Sequence, residues 1–162
     1  MSKSIHVLNE LLVDIFNDIL TIEQNALQQG CLKDLSVTEV HTIEAIGMYN
    51  KRTMSEIAGD LKITVGTLTT AINHLFKKGY VDRSRSEHDR RLVYIELTKK
   101  GKLAYRVHEK FHLDMIKATI SGLSNEEENT LISSLEKLNI FFKEKYGLEE
   151  SGKGDMKCME QE

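Results

Sequence analysis

The chain has 162 residues, of which 40% are hydrophobic and 29% charged, with a formal net charge of -3, two cysteines and no proline. That length suits one domain, or a small domain that completes its core by dimerising, and leaves no room for a second, catalytic domain. Two cysteines, Cys31 and Cys158 in no C-x-x-C arrangement, exclude a disulfide framework and read as ordinary reduced thiols, and the absence of any run near about 18 apolar residues or of a basic-apolar-small leader points to a cytoplasmic protein with neither membrane span nor signal peptide.

In chain order, residues 5–29 place Ile5, Leu8, Leu12, Ile15, Ile19 and Ile22 at spacings of three and four, with Leu11, Phe16 and Leu20 widening the stripe. A helix apolar over that much of its circumference needs more than one partner. After the loop around Gly30, Ser36 and Glu39 have capping-box spacing and open a helix through His41, Ile43, Ala45 and Ile46 that ends near Gly47. Thr53 and Glu56 repeat the spacing before Ile57, Ala58 and Leu61, and a short turn at Lys62 and Ile63 leads to Thr64 as the next cap. The following helix is apolar along Leu68, Ile72 and Leu75, with Val65 and Phe76 beside them. Its other side carries Gly66, Thr67, Thr70, Asn73, His74 and Lys77. Two short helices on a tight turn predict a helix-turn-helix whose second member is the recognition helix.

Next, GYVDRSR and RLVYIELT are β-rich runs in which Val81, then Leu92 and Tyr94 or Val93 and Ile95, and Leu97 alternate, joined by SEHDR. They predict a hairpin with a charged tip. From Lys99 a long helix carries Leu103, Val107, Phe111, Met115 and Ala118. Ser124 and Glu127 then cap a last helix with Leu131, Leu135, Leu138 and Phe142 on one face. From Gly147 the chain loses periodicity, and a disordered tail is expected over 147–162. The fold class is therefore mainly α with a small β-wing. A winged helix-turn-helix over 36–101 is flanked by helical dimerisation segments, 5–30 and 102–146, within a single domain over 5–146.

The acidic balance is unevenly distributed: residues 51–102 hold twelve Lys and Arg against six Asp and Glu, and the remainder ten against nineteen. The positive charge lies on the reader motif, which is what phosphate contacts require.

The run IAGDLKITVGTLTTAINHLFKKGYVDRSRSEHDRRLVYIELTKKG resembles the MarR family of bacterial regulators. In that family the wing carries Asp-x-Arg, here Asp89 and Arg91, before a strand and LT-x-x-G, here Leu97, Thr98 and Gly101. Within it, KDLSVTEVHTIEAIG, the recognition-helix-to-wing run and HEKFH are similar to the branch that represses fatty-acid synthesis in Gram-positive bacteria. The resemblance covers roughly residues 5–146. It implies a homodimeric repressor on a pseudo-palindromic double-stranded operator, with no cofactor, and a long acyl chain on acyl carrier protein as corepressor.

Reach assigns the DNA contacts. Thr64, Thr67, Thr70 and Asn73 meet phosphates or base edges, Asn73 pairing bidentately with adenine, with His74 beside them. Lys77, Arg83 and Arg85 meet phosphates. At the wing, Arg90 and Arg91 suit the electronegative minor groove. The family resemblance places Arg91 there, with Asp89 restraining a nearby arginine. For an effector, Ile19, Ile22, Ile43, Ile46, Phe111 and Met115 are expected to line an apolar channel or else to be plain core, with Arg106 and Lys110 at its mouth and His108 a polar partner for carboxylates. The alternative is zinc sensing: His108 and His112 are one turn apart, and Glu23 and His41 occupy positions resembling ligands in a zinc-responsive branch of the family. Enzyme motifs such as G-x-S-x-G, a Walker loop or G-x-G-x-x-G do not occur. A helical interaction module without DNA binding fits the long helices but leaves the basic wing without a purpose.

If the charge over 51–102 supplies the affinity, DNA binding falls steeply with salt, and Arg91→Ala weakens it by about 1–3 kcal/mol. A fluorescence-anisotropy titration at two salt concentrations checks both, and unchanged affinity in the variant removes Arg91 from the contact.

Overall fold

The computed structural model describes residues 3–86, 89 and 92–147. In order these form α1 (Lys3–Gln29), α2 (Val37–Ile46), β1 (Arg52–Thr53), α3 (Met54–Leu61), α4 (Val65–Lys77), β2 (Val81–Arg85), β3 (Val93–Leu97), α5 (Lys99–Ile120) and α6 (Asn125–Tyr146). The chain divides into two compact units, one ending at Phe111 and the other beginning at His112. The expected tail beyond Gly147, Cys158 included, lies outside the described residues.

Three helix starts owe their position to capping boxes. The Ser36 hydroxyl accepts from the Glu39 N–H at 3.2 Å while the Glu39 carboxylate accepts from the Ser36 N–H at 2.8 Å, and Thr53 with Glu56 and Ser124 with Glu127 repeat the arrangement. Between α3 and α4 the chain reverses at Lys62, whose φ of 54° is left-handed and whose N–H returns to Ala58 and Gly59. Thr64 then caps α4 by accepting from the Thr67 N–H at 3.1 Å.

The sheet has the order β1-β3-β2, all antiparallel, with Arg83 opposite Ile95 and Thr53 opposite Tyr94. Sequence periodicity pointed to the hairpin and not to β1, because two residues ahead of a capping box show no alternation. Of the two alternations open for β3, Ile95 and Leu97 are the buried pair, at 0% and 5% exposure.

The core of the first unit joins Leu27, Leu32, Leu35, Val40, Ile43, Ile46, Ile57, Leu68, Ile72, Leu75, Tyr80, Val81, Ile95, Leu97 and Ala104. At the wing's exit the Thr98 hydroxyl donates to the Gly79 carbonyl at 2.7 Å and accepts from the Gly101 N–H at 3.1 Å. A Cβ at Gly101 would collide with the Tyr80 carbonyl oxygen, so this glycine lets α5 start hard against the chain entering β2. In contrast, the apolar residues of α6 that sequence placed on an inner face, Leu131, Leu135, Leu138 and Phe142, are exposed in the single chain. So are Ile5, Leu8, Leu12 and Ile15 of α1.

Glu39 is a second structural anchor. Its buried carboxylate accepts from Lys78 Nζ at 2.7 and 2.8 Å, and the same ammonium donates to the Asp34 carbonyl at 2.6 Å. Burial alone raises the Glu39 pKa, but hydrogen bonds from Lys78 and Ser36, with the Lys78 charge, outweigh it and hold the carboxyl below its usual 4.5. A lowered folded-state pKa stabilises above the unfolded value, and that stability is lost as pH falls through the folded one. Glu39→Gln is therefore expected to lower stability by about 1–3 kcal/mol at pH 7, with the gap to the parent closing below pH 4.5. Urea unfolding at a series of pH values checks it; a gap independent of pH shows that the charge contributes nothing.

Candidate nucleic-acid interface

The orientation of α4 follows from its buried side. Leu68, Ile72 and Leu75 are 0–1% exposed, which leaves Gly66, Thr67, Thr70, His74 and Lys77 exposed and Asn73 half-buried at the margin. The structure thus brings the expected reading residues together on one outward face, with small side chains towards the N-terminal end where a duplex can approach closely. His74 Nδ1 also lies 3.9 Å from the Glu39 carboxylate.

Arg83 and Arg85 are exposed on β2. Arg83 turns towards α4: its Nη2 donates to Asn73 Oδ1 at 2.6 Å, and its guanidinium lies 5.0 Å from the Phe76 ring centre. Near the wing tip the Ser86 N–H donates to the Leu92 carbonyl at 3.0 Å. The Leu92 N–H donates to the Asp89 carbonyl at 2.9 Å, and the Asp89 N–H to the Ser86 hydroxyl at 3.3 Å. Asp89 is exposed; Arg90 and Arg91 lie outside the described residues.

Away from the reader, the first unit holds a carboxylate–histidine cluster. His108, buried at 2% exposure, directs Nδ1 to Glu44 Oε1 at 2.7 Å and Nε2 to Glu23 Oε1 at 2.6 Å, and the same Glu23 oxygen receives His41 Nε2 at 2.8 Å. Burial pushes the His108 pKa down. The hydrogen bonds and charges of Glu44 and Glu23 push harder the other way, so the net shift is upward and the doubly protonated ring, a donor at both nitrogens, is the form that fits. Glu23, His41 and His108 present ligand atoms within 4.8 Å of one another, a donor set that could hold a divalent ion only with a ring proton of His108 given up. Glu44 was not anticipated, although it lies one helical turn after His41. His112 belongs to the second unit.

Beside the cluster is an apolar hollow of about 290 Å³, its open mouth included, lined by Ala26, Leu27, Leu32, Val107 and Phe111, with Glu23 and His108 in its wall. Of the expected effector residues, His108 and Phe111 lie here. Ile43 and Ile46 are fully enclosed in the core, Ile19 is half-buried, Ile22 is 47% exposed, and Arg106 and Lys110 are exposed on α5. Met115 is half-buried in the second unit. Isoleucine on a helix looks the same in sequence whether it meets core or cavity; Val107 was legible only as part of the apolar face of α5, and Ala26 carried no signal of its own.

Residues 29–106 match the family model for the transcriptional regulator SarA/Rot. The HTH-type transcriptional regulator YwhA of Bacillus subtilis (strain 168) is 31% identical over 96 residues, 59% of this chain and 69% of that protein. For YfiV of the same organism the figures are 31% over 103 residues, 63% and 64%. Among solved structures, Streptococcus pneumoniae FabT in complex with DNA superposes with a TM-score of 0.81 at 42% identity, covering 86% of this chain and 97% of that one. A MarR family protein from Bacillus stearothermophilus shares the fold, with a TM-score of 0.74 at 18% identity over 88% of this chain and 97% of that one.

Exposed Lys77 and marginal Asn73 separate positioning from reading. Lys77→Ala is expected to weaken all duplexes about equally and to lower the slope of log affinity against log salt by about one, whereas Asn73→Ala relaxes preference at one base pair per half-site. Competition between selected and random duplexes measures both; equal effects of Asn73→Ala on the two remove it from readout.

Proposed function

Because the chain belongs to the MarR family of winged helix-turn-helix transcriptional regulators, and is therefore a DNA-binding regulator and not an enzyme, we propose that it is a homodimeric repressor of fatty-acid-synthesis genes with long-chain acyl carrier protein as corepressor. The observation that carries this reading is the likeness to FabT held on DNA, at 42% identity over 97% of that chain. It coincides with the sequence resemblance to the fatty-acid-synthesis repressors.

Dimerisation is supported by exposed apolar residues within each unit: Ile5, Leu8, Leu12 and Ile15 on α1, and Leu131, Leu135, Leu138 and Phe142 on α6. Stripes of this extent in water are unfavourable at about 25 cal/mol per Å², and a second copy covers them with two-fold symmetry. Two recognition helices are then held one DNA turn apart on a pseudo-palindrome. Among the described residues no helix is long and apolar enough to cross a membrane, in keeping with action on DNA in the cytoplasm.

For the corepressor, the hollow against Leu27, Leu32, Val107 and Phe111 supplies the apolar wall. Each buried methylene contributes about 0.8 kcal/mol, so a long chain offsets the cost of ordering and a short one does not. Exposed Arg106 and Lys110 on α5 suit the acidic carrier. A second reading, zinc as the effector, is favoured by the proximity of Glu23, His41 and His108.

Titrating an operator with the protein plus long-chain acyl carrier protein, unacylated carrier or zinc separates the readings. Tightening by the acylated carrier alone is expected; tightening by zinc alone assigns the signal to the histidine cluster, and no response from any leaves a regulator without this corepressor. Leu135→Glu is expected to yield monomers in sedimentation at micromolar concentration and to abolish operator binding, through the several-kcal/mol cost of burying a charge. A monomeric parent protein ends the dimer reading.

A further inference from the structure

Base readout by α4 depends on which end of the Asn73 side chain faces the duplex. The two ends of a carboxamide have nearly the same shape and opposite chemistry, one accepting and one donating, so a flip exchanges what the residue can recognise. The neighbour settles the choice. A guanidinium has donors and no acceptor, so the 2.6 Å contact from Arg83 Nη2 requires the Asn73 oxygen, and not its nitrogen, on that side.

Arg83 is itself held in place. It pairs with Ile95 in the β2–β3 ladder, Ile95 is fully buried, and the guanidinium rests over Phe76, one turn beyond Asn73 on α4. Planar geometry lets one arginine stack on the ring and donate to the amide at once. Asn73, half-buried at the wing side of the reading face, then has its amide nitrogen turned away from Arg83.

We infer that Arg83 is a positioning residue for sequence recognition: it fixes the Asn73 carboxamide so that Asn73 donates to an acceptor on a base edge, instead of pairing bidentately with adenine. The acceptors available in the major groove are N7 and O6 of guanine, N7 of adenine and O4 of thymine. Guanine presents two of these acceptors side by side, so an N–H donor at this position finds a partner there over a wider range of placements than at adenine or thymine. This rests on α4 being the recognition helix.

The test is selection from a randomised duplex library with the full-length protein and its Asn73→Ala, Arg83→Met, Arg83→Lys and double Asn73→Ala/Arg83→Met variants. Methionine keeps an unbranched apolar stem beside Phe76 but cannot donate. Salt is lowered until each variant binds, so that lost non-specific attraction does not hide the preference. Expected is a preference for guanine at one base pair per half-site, reduced roughly tenfold by Asn73→Ala and by Arg83→Met at that same pair. The double variant is expected to be no flatter than either single one, and Arg83→Lys, which retains a donor, to keep part of the preference. If Arg83→Met weakens all sequences in proportion and leaves the preference intact, Arg83 is a phosphate contact and the inference is overturned. It is equally overturned by a preference for adenine that Arg83→Met leaves standing. Should Asn73→Ala change no preference at all, the assignment of Asn73 to readout falls as well, which distinguishes that failure from a failure of Arg83 alone.

Discussion

Rotation of α4 about its own axis is the constraint on which the reader depends. Leu68, Ile72 and Leu75 are buried to within 1% of completion in a core shared with Val40, Ile57 and Ile95, and burying each is worth about 1.5–3 kcal/mol. A roll of one residue position, about 100°, would bring these three towards water and press Thr67 or Asn73 into the core. The exposed face is therefore fixed by what the opposite face buries. Tyr80 carries the same constraint into the wing. Its N–H donates to Leu75 at the end of α4, its carbonyl accepts from the Thr98 N–H, and its buried hydroxyl donates to Asp34 at 2.8 Å. The end of α4, both wing strands and the start of α5 meet at one residue, with Gly101 admitting the close approach.

That geometry also changes how the charge should be counted. Residues 51–102 hold an excess of six positive charges in sequence. Several of those cations are occupied inside the protein: Lys51 with Glu96, Arg52 with Asp60, Lys78 with Glu39 and Lys100 with Asp34. Glu39 and Asp34 come from outside the basic stretch, so the count from 51 to 102 overstates the field at the duplex. Arg83 keeps its charge but is directed at Asn73. The described cations of this stretch that take part in none of these contacts are Lys62, Lys77, Arg85 and Lys99, all exposed, and half-buried Lys102, fewer than the composition counts.

What was legible in the sequence was whatever depends on local chemistry. Capping boxes at Ser36, Thr53 and Ser124 marked helix starts because both partners lie within four positions of each other. The spacing of Leu68, Ile72 and Leu75 gave the buried side of α4, and β-rich runs gave the hairpin. Contacts made across the fold were not legible. Asn73 and Arg83 are ten positions apart on a helix and a strand, and each alone looks like an independent DNA contact. His108 and Glu23 are 85 positions apart, and His108 was recognised as a partner for carboxylates without its second one, Glu44, being identified. Ile43 and Ile46 show the remaining ambiguity, since periodicity says which side of a helix is apolar and not whether core or cavity covers it.

A signal that reaches this reader has little distance to travel. For any ligand to change DNA affinity it must bind two arrangements of the protein unequally, so the groups it touches must belong to something that can be arranged in two ways. The hollow against Leu27 and Phe111 includes Glu23 and His108 in its wall, and these two side chains, with His41 and Glu44, are the polar link between α1, α2 and α5. On its other side α2 contributes Val40, Ile43 and Ile46 to the core that holds α4. A hydrogen-bonded link can exchange partners at small enthalpic change, whereas the close-packed core cannot deform continuously. A ligand seated in the hollow would therefore meet the bonds of Glu23 and His108 first, and α2, which carries His41 and Glu44 on one side and Val40, Ile43 and Ile46 on the other, is the element that lies between them and α4.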